Sequence, residues 1–419
     1  MNIAIIGSGI SGLLTAYLLS EDHDVTIFEA NDYVGGHTRT LDVPSNAGTT
    51  AVDTGFIVFN ERTYPNFIAL LDLLGVPWQP SDMSFSVQCG KTGVEFCPSS
   101  LDGIFAQRKN LLNPFFLWML VDAVRFRHRC RELLQRGDDR ETLYGYLRRK
   151  RYSKMFREHF ILPMGDAIWS ADPERFQDFP VRFFAEFFEN HGFLHFRQPQ
   201  WRVVRGGSSQ YIEPLTRRFR ERIRVNCPVE GIRRLPDGVE ITPRGTAAER
   251  FDQVVIAAHS DQALALLKDP TDAERDILGN IAYQENDVVL HTDTRLLPDH
   301  PSAWASWNYY VPRQSMGRVA LTYNMNKLQT LRTPETFCVT LNRRRTIEPD
   351  AVIARMTYHH PVYCPDSLVA RRRREEISGK NNTYYAGAYW GFGFHEDGVN
   401  SALAVCRHFG KTLPGGPEL

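Results

Sequence analysis

Three closely spaced glycines near the start of the chain constrain its fold more than any other feature. Gly7, Gly9 and Gly12 form the pattern G-x-G-x-x-G directly after an apolar run over residues 3–6. A helical pattern follows, and then a second apolar run that ends at Glu29. This βαβ order predicts a bound nucleotide, with the glycines allowing close approach to a pyrophosphate and Glu29 beside a ribose hydroxyl. A glycine turn that only packs a helix is the alternative, but it does not explain Glu29.

The segment that follows Glu29 indicates which dinucleotide the protein binds. It reads EANDYVGGHTRT and places a second glycine pair, Gly35 and Gly36, shortly after Glu29. With the first motif, it resembles the flavoprotein superfamily of amine oxidases, protoporphyrinogen oxidases and carotenoid desaturases. The resemblance implies FAD, with the second glycine pair and the following arginine along its pyrophosphate. A plain surface turn is the other interpretation of the glycine pair.

A second match to this superfamily lies near the C-terminus, in NTYYAGAYWGFGFHEDGVNSALAVCRHFG. The resemblance implies that Gly387 ends a strand beside the ribityl and phosphate groups. It also implies that Gly398 and Val399 start the last helix, whose positive end would stabilise charge on the reduced flavin. Val229 would offer its backbone to the adenine. The full set of implied cofactor-binding residues is Gly7, Gly9, Ser11, Gly12, Glu29, Ala30, Gly36, His37, Thr38, Arg39, Gly55, Val229, Gly387, Gly398 and Val399.

These segments predict an α/β fold. We expect a glutathione-reductase-like Rossmann domain that binds FAD and is discontinuous in sequence, and a mixed α+β substrate domain. The buried-strand pattern FDQVVIAAH returns the chain to the nucleotide sheet. We assign residues 1–80, 201–268 and 366–419 to the FAD domain, and residues 81–200 and 269–365 to the substrate domain.

Net charge, cysteine pattern and the length of apolar runs limit the classes of protein to which this chain can belong. The 419 residues carry a formal net charge of zero, which gives no general attraction to nucleic acid. The seven cysteines form no C-x-x-C pair, and no metal-ligand spacing is evident, so we expect a reduced cytoplasmic protein without a metal site. The N-terminus enters the first strand at once, and no apolar run is long enough to span a bilayer, so we expect neither a signal peptide nor a transmembrane helix.

Four residues are candidates for catalysis: Tyr389, His395, Glu396 and His360. The loop AYWGFGFHEDG would lie next to the flavin, where its aromatic residues could wall the site. His395 could act as a general base, since histidine changes charge near neutral pH; helix capping or a hydrogen bond to phosphate is the alternative. His360, in YHHPVY, either faces the substrate or is a structural residue at a strand end.

Two segments in the middle of the chain, one rich in phenylalanine and one rich in arginine, indicate what kind of substrate the protein could bind. Residues 175–196 hold eight phenylalanines, which form either ordinary core or an apolar channel for an acyl chain. Residues 125–157 hold ten arginines and two lysines against four acidic residues. This stretch is either a solvated helix surface or a docking patch for anionic lipid on the inner face of the membrane.

The segment AYQENDVVLHTD resembles the strand on which many amine oxidases place a lysine near flavin N5, and it contains none. Lys327 is either a substitute for it or a surface residue. The chain also resembles a narrower group of bacterial proteins, often encoded beside methyltransferases similar to cyclopropane-fatty-acid synthase, which implies chemistry on lipid acyl chains.

We therefore expect an FAD-dependent oxidase or desaturase that transfers a hydride from a hydrophobic, lipid-linked acyl substrate to flavin N5. Three alternatives stay open: a redox-neutral flavin isomerase or mutase, a non-catalytic FAD-bound partner of a lipid methyltransferase, and a true amine oxidase.

Overall fold

The computed structural model describes residues 1–46, 48–136, 141–169, 179–191, 199–314 and 316–417. The helices are α1 (Ile10–Leu19), α2 (Pro65–Leu74), α3 (Leu101–Ile104), α4 (Pro114–Arg136), α5 (Leu143–Arg149), α6 (Lys154–Phe156), α7 (Leu162–Trp169), α8 (Val181–Asn190), α9 (Ile212–Thr216), α10 (Ser260–Leu266), α11 (Asp272–Gly279), α12 (Met325–Leu328), α13 (Pro365–Arg372) and α14 (His395–Arg407). The strands are β1 (Asn2–Ile6), β2 (Asp24–Phe28), β3 (Thr40–Ser45), β4 (Gly48–Asp53), β5 (Val58–Asn60), β6 (Trp78–Pro80), β7 (Phe85–Cys89), β8 (Glu95–Phe96), β9 (Trp201–Val204), β10 (Ile223–Arg224), β11 (Val229–Leu235), β12 (Gly238–Pro243), β13 (Glu249–Phe251), β14 (Gln253–Ile256), β15 (Ala282–His291), β16 (Trp307–Val311), β17 (Leu321–Asn324), β18 (Cys338–Leu341), β19 (Val352–Val362) and β20 (Thr383–Tyr385).

A five-stranded sheet carries the first glycine motif at its carboxyl edge. Its order is β10–β2–β1–β14–β20, and every adjacent pair is parallel. Side chains of β1 are buried on both faces, because α1 and α14 cover one face while the β11–β12 hairpin, α10 and α11 cover the other. This double burial explains the uninterrupted apolar run in the sequence. The α/β prediction is confirmed by this arrangement of helices on both faces of a parallel sheet.

A second, seven-stranded sheet has the order β19–β15–β18–β17–β16–β7–β8. Its pairs are antiparallel, except that β16 runs parallel to β7. At one end of the β15–β19 ladder, the ring of Tyr283 stacks on His259 with centroids 4.3 Å apart. At the same end, the hydroxyl of Tyr358 forms a hydrogen bond with Thr54. This end of the ladder therefore lies against the carboxyl edge of the parallel sheet.

Helices α4 to α8 form a layer around an aromatic core. The phenylalanines of α8 are all buried, as their i, i+1, i+4, i+5 spacing predicts. One of them, Phe184, packs against Phe126 of α4 with ring centroids 6.1 Å apart. Residues 175–178 and 192–196 of the phenylalanine-rich segment, and residues 137–140 of the basic stretch, lie outside the described residues. Within the described part of the chain, no helix combines the length and apolarity needed to cross a membrane.

A buried carboxylate ties several of these segments together. Asp53, at the end of β4, accepts hydrogen bonds from the Thr40 hydroxyl, from the backbone and side chain of Ser208, and from the side-chain amide of Gln329. Burial raises the pKa of Asp53 to about 6, although these hydrogen bonds act in the opposite direction. A Cβ on Gly207 would lie 2.4 Å from the Thr40 side chain, so only glycine fits this junction.

Candidate active site

Two helices that are far apart in sequence begin side by side at the carboxyl edge of the parallel sheet. The Ser11 hydroxyl, in the first turn of α1, donates a hydrogen bond of 2.9 Å to the carbonyl oxygen of Gly398, in the first turn of α14. A Cβ on Gly398 would lie 2.8 Å from a side-chain carbon of Ile10, so the two helix starts are in direct contact. Because the first N–H groups of a helix have no acceptor within it, this pair of helix starts favours anionic groups.

The glycine turn leaves open space where a diphosphate would approach. A Cβ built on Gly9 meets no atom within 4 Å, and the φ of Gly9 is −67°, which any residue adopts. By contrast, a Cβ on Gly12 would lie 2.1 Å from the carbonyl oxygen of Gly7. Gly9 therefore fits a bound phosphate, whereas Gly12 allows α1 to pack against the turn.

The second glycine pair lies against the first. A β-bridge joins Gly9 to Gly35, and a Cβ on Gly36 would lie 3.2 Å from the Cα of Gly9. Gly55 packs on this segment so closely that a Cβ there would lie 2.1 Å from the carbonyl oxygen of His37. Residues that the resemblance assigns to the cofactor are thus brought together from three separate segments, as expected for one continuous FAD cradle.

Glu29 is buried at the end of β2, and its carboxylate binds the glycine turn. One oxygen accepts hydrogen bonds from the backbone and hydroxyl of Ser8, and the other accepts two from the backbone and side chain of Asn31. An ionised carboxylate has about four acceptor positions, so protein groups use all of them. We therefore expect a ribose hydroxyl to replace one of these side-chain donors. Ala30, beside Glu29, is exposed.

The remaining predicted cofactor residues lie around this cradle. The backbone N–H of Gly387 donates to the Ser401 hydroxyl at 2.8 Å, which fixes the end of β20 against α14. The guanidinium carbon of Arg39 lies 4.5 Å from the centre of the Tyr33 ring. Val229 starts β11 opposite Pro243, just after Cys227, whose N–H donates to the carbonyl of Glu29. Val399 is fully buried in α14.

A cluster of histidines lines the face of the cradle next to the β15–β19 ladder. The ring centroid of His37 lies 5.7 Å from that of His360 and 6.1 Å from that of His259. Burial, together with repulsion from neighbouring histidines that include His359, lowers the pKa of His37 to about 4 and the pKa values of His259 and His360 to about 3. The three rings are therefore neutral near pH 7. The Nε2 of His37 is buried and has no hydrogen-bond partner among the described residues, as expected for an atom that faces a bound ligand.

His395 occupies an enclosed position at the start of α14. Its ring stacks on Phe56 with centroids 3.7 Å apart, and its Nε2 forms a hydrogen bond of 2.8 Å with the Tyr211 hydroxyl. That hydroxyl also forms a short hydrogen bond with Thr38. Burial lowers the pKa of His395 to about 3, so the imidazole is neutral near pH 7, and Tyr211 is its hydrogen-bond partner at Nε2. Its role as a general base stays a prediction.

The other catalytic candidates have different partners. Both oxygens of Glu396 accept backbone hydrogen bonds from the start of α2, at Asn66 and Phe67, and burial raises the pKa of Glu396 to about 7. Tyr389 is buried against Trp390, with ring centroids 4.8 Å apart, and burial raises the pKa of its hydroxyl. These contacts give Glu396 and Tyr389 structural roles, and their catalytic roles stay predictions.

Several polar residues at this site were missed in the sequence. Tyr211, which hydrogen-bonds His395, and Asn286, which hydrogen-bonds the His360 ring at 3.1 Å, received no role in the sequence analysis. Ser401 and His259 were also missed. Spacing signals exist for two of them, because Ser401 follows Gly398 by less than one helical turn and His259 follows the buried strand β14.

Lys327, the proposed substitute for the amine-oxidase lysine, lies in α12 and is exposed. The strand pair β15 and β19, which faces the cradle, contains no lysine. Both strands of the β15–β19 ladder therefore lack a lysine.

Comparisons with known proteins agree with this geometry. Cyclohexylamine oxidase from Brevibacterium oxydans IH-35A superposes with a TM-score of 0.68 at 17% identity, covering 98% of this chain and 99% of that one. A fatty acid isomerase from P. acnes that produces CLA superposes with a TM-score of 0.69 at 17% identity, covering 97% and 98%. Putrescine oxidase bound to putrescine gives a TM-score of 0.68 at 12% identity, covering 98% and 99%. These identities establish a shared fold alone, and no curated protein matches the sequence significantly.

The sequence model of one family matches most of the chain. It describes flavin-containing amine oxidoreductases and aligns with residues 10–335. The recognition of this superfamily from the glycine motifs is therefore confirmed, and so is the expected flavin cofactor. The chain belongs to the family of flavin-containing amine oxidoreductases.

Proposed function

We propose that this enzyme is an FAD-dependent oxidoreductase of the oxidase or desaturase type that acts on a hydrophobic acyl chain. Bound FAD supplies the hydride acceptor, at N5. The protein holds the cofactor on the two helix starts, excludes water and orients the substrate. In this proposal the parallel sheet and its helices are a glutathione-reductase-like Rossmann domain assembled from residues 1–80, 201–268 and 366–419. Residues 81–200 and 269–365 form the substrate domain.

The apolar wall beside the start of α14 is the observation that carries the proposal. Phe394 is the residue before α14, and its ring stacks on Phe187 of α8 with centroids 5.2 Å apart. Phe392 stacks on Phe183 with centroids 4.7 Å apart and an interplanar angle of 18°. The loop that approaches the cofactor is therefore continuous with the aromatic core of the helical layer. Such a wall favours an apolar substrate.

The polar groups at the same site favour an acyl substrate over an amine. A neutral pair, Asn286 and His360, stands on the β15–β19 ladder, and the stretch that holds Asn286 resembles the strand on which many amine oxidases place a lysine. The amide and the neutral imidazole can orient a carbonyl or hydroxyl group without adding charge. The likeness in fold to an isomerase that acts on a fatty acid also supports an acyl substrate.

A true amine oxidase is the second candidate, and the family match favours it, together with the fold neighbours cyclohexylamine oxidase and putrescine oxidase. A redox-neutral isomerase is the third, favoured by the fatty acid isomerase. The two oxidative functions reduce the flavin on mixing with substrate, whereas an isomerase gives no net reduction.

Anaerobic reduction of the flavin tests the proposal. The purified, FAD-loaded protein is mixed with detergent-solubilised phospholipids that carry unsaturated, methylated or cyclopropanated chains, and separately with a panel of amines. Loss of flavin absorbance with one lipid class alone supports the proposal. Loss with amines alone refutes it and supports an amine oxidase. No loss with either also refutes it, and leaves the isomerase and the non-catalytic partner to be separated by analysis of lipid products.

A pair of variants locates the substrate. Phe392→Ser removes an aromatic ring from the wall, and Phe105→Ser removes one from the same helical core away from the loop. We expect Phe392→Ser to raise the KM for long acyl chains about tenfold, since burying a large apolar side chain is worth about 1.5–3 kcal/mol. Phe105→Ser should lower stability without changing KM. Equal KM values for the two variants would remove Phe392 from the substrate site.

A further inference from the structure

The largest concentration of exposed apolar side chains in the described residues lies on α3, α4 and the segment between them. Fourteen large apolar residues are exposed in the described chain, and eight of them fall between residues 101 and 124. We define these eight as the apolar patch: Leu101, Leu111, Leu112, Phe115, Leu117, Trp118, Val121 and Val124. A clustered apolar surface of this kind marks a docking site.

The helix presents this patch on one face. Leu112, on the segment before α4, is 89% exposed, and Phe115 of α4 is 75% exposed, while Phe116 and Met119 of α4 are fully buried. The exposed residues of α4 follow helical spacing and alternate with buried ones that pack towards α8. The exposure is therefore a property of one helix face in a folded layer.

Charges around the patch are basic. Arg108 and Lys109 are exposed on the segment before α4, and the sequence after Val124 begins the stretch of ten arginines and two lysines against four acidic residues. The nearest acids are already neutralised. Asp122 is buried and paired with Arg125, and Asp102 is paired with Arg108. Because Arg108 and Arg125 are used in these pairs, the net positive charge beside the patch comes from Lys109 and from the rest of the basic stretch that follows Val124.

We propose that the apolar patch inserts into the surface of an anionic phospholipid bilayer. An apolar helix face with leucine, phenylalanine and tryptophan, rimmed by arginine and lysine, matches the acyl boundary and the anionic headgroups respectively. In this proposal the basic stretch contacts the anionic headgroups, and the apolar residues before it insert into the bilayer.

The patch is also connected to the candidate active site. The opposite face of α4 packs against α8, where Phe126 contacts Phe184. Phe183 and Phe187 of α8 in turn stack on the loop before α14. Docking through α4 would hold one side of this aromatic layer at the bilayer, where acyl chains are available. This inference deepens the proposed function. It rests on that function in one respect, because the bilayer supplies the substrate only if the enzyme acts on acyl chains.

Vesicle binding tests the inference without any catalytic readout. The FAD-loaded protein is centrifuged with vesicles of phosphatidylcholine alone and with vesicles that contain phosphatidylglycerol as well. We expect binding to the anionic vesicles at least tenfold tighter than to the neutral ones, and weaker binding at high salt. The double variant Leu112→Ser/Phe115→Ser should bind anionic vesicles at least about a hundredfold more weakly, since the lost burial of each large apolar side chain weakens binding about tenfold to hundredfold.

Two valines provide a matched control. Val124, in the patch, and Val369, on α13 outside it, are both 58% exposed. Val124→Asp should weaken vesicle binding, and Val369→Asp should leave it unchanged. Absence of binding to anionic vesicles, or equal binding by the double variant and the wild-type protein, would overturn the inference. So would a dimer in the absence of vesicles that dissociates in the double variant, because the patch would then be an interface between two copies of the chain.

The two hypotheses fail separately. If the protein binds anionic vesicles but solubilised lipids do not reduce the flavin, the docking surface holds and the acyl function fails. If solubilised lipids reduce the flavin but the protein ignores vesicles, the acyl function holds and the docking surface fails.

Discussion

Two glycines of the first motif, three residues apart, should fail in opposite ways when each is replaced by alanine. At Gly12 the new methyl group would lie 2.1 Å from the carbonyl oxygen of Gly7, more than an ångström inside normal contact. Since the neighbouring atoms are backbone, α1 must move away from the turn. Overpacking of this kind costs about 1–3 kcal/mol, so we expect Gly12→Ala to destabilise the apoprotein by about 3 kcal/mol.

At Gly9 the new methyl group meets no atom within 4 Å, and the backbone conformation is ordinary. The apoprotein should lose about 1 kcal/mol or less, the difference between glycine and alanine at a helix N-cap. The methyl group would, however, fill the space through which we expect the FAD diphosphate to reach the N–H groups of α1. Loss of one charge-assisted hydrogen bond, worth about 1.5–3 kcal/mol, would weaken FAD binding about tenfold to hundredfold.

Urea unfolding of the flavin-free protein and titration with FAD measure the two effects separately. Gly9→Ala should lower the unfolding midpoint only slightly and lose FAD affinity, and Gly12→Ala should lower the midpoint much further. Wild-type FAD affinity in a folded Gly9→Ala protein would refute the assignment of this space to the diphosphate. Wild-type stability in Gly12→Ala would refute the packing argument.

Three further predictions follow from buried polar groups. Glu274 and Arg234 form a buried ion pair, with side chains 2% and 4% exposed. Glu274→Ala should therefore lower the free energy of unfolding by about 3–5 kcal/mol in a urea titration, because it leaves a buried charge unpaired. As a control, Glu213 forms an exposed ion pair, and Glu213→Ala should cost less than about 1 kcal/mol. Because burial holds several histidines neutral, their contribution to thermal stability should be complete above about pH 6.5 and fall as the pH drops towards 4, with a slope of up to about 1.4 kcal/mol per pH unit for each histidine. The raised pKa values of Asp53 and Glu396 act in the opposite direction, but they involve fewer groups, so we expect a net loss of stability. The histidines with a pKa lowered to about 3 or 4 are His37, His191, His259, His291, His360 and His395. A melting temperature that is constant from pH 7 to pH 4.5 would contradict this. His395→Ala should keep FAD bound but slow its reduction by substrate, and unchanged stopped-flow kinetics would remove His395 from the mechanism.

The sequence by itself determined the local parts of this protein. The glycine spacing and the acid after β2 identified the βαβ unit, because tight turns and close helix packing leave a direct mark on residue type. A Pro-Asp-Gly turn is typical of a β-hairpin, and this turn closes the β11–β12 hairpin between Leu235 and Gly238. The helical spacing of phenylalanines is typical of a buried helix face, and the phenylalanines of α8 are all buried. Each of these signals is contained within a short stretch of chain.

Only the tertiary structure decided which of these parts meet. The contact of Ser11 with Gly398, the histidine cluster from three separate segments, and the attachment of Glu396 to α2 all join residues that are distant in sequence. Nothing in the spacing of His37 indicates that His259 will lie beside it. The apolar face of α4 is a further example, because helical periodicity shows which apolar residues share a face but not whether another element covers that face. Contacts between elements depend on the packing of the whole chain, and that packing placed the candidate active site and the apolar patch on one connected aromatic layer.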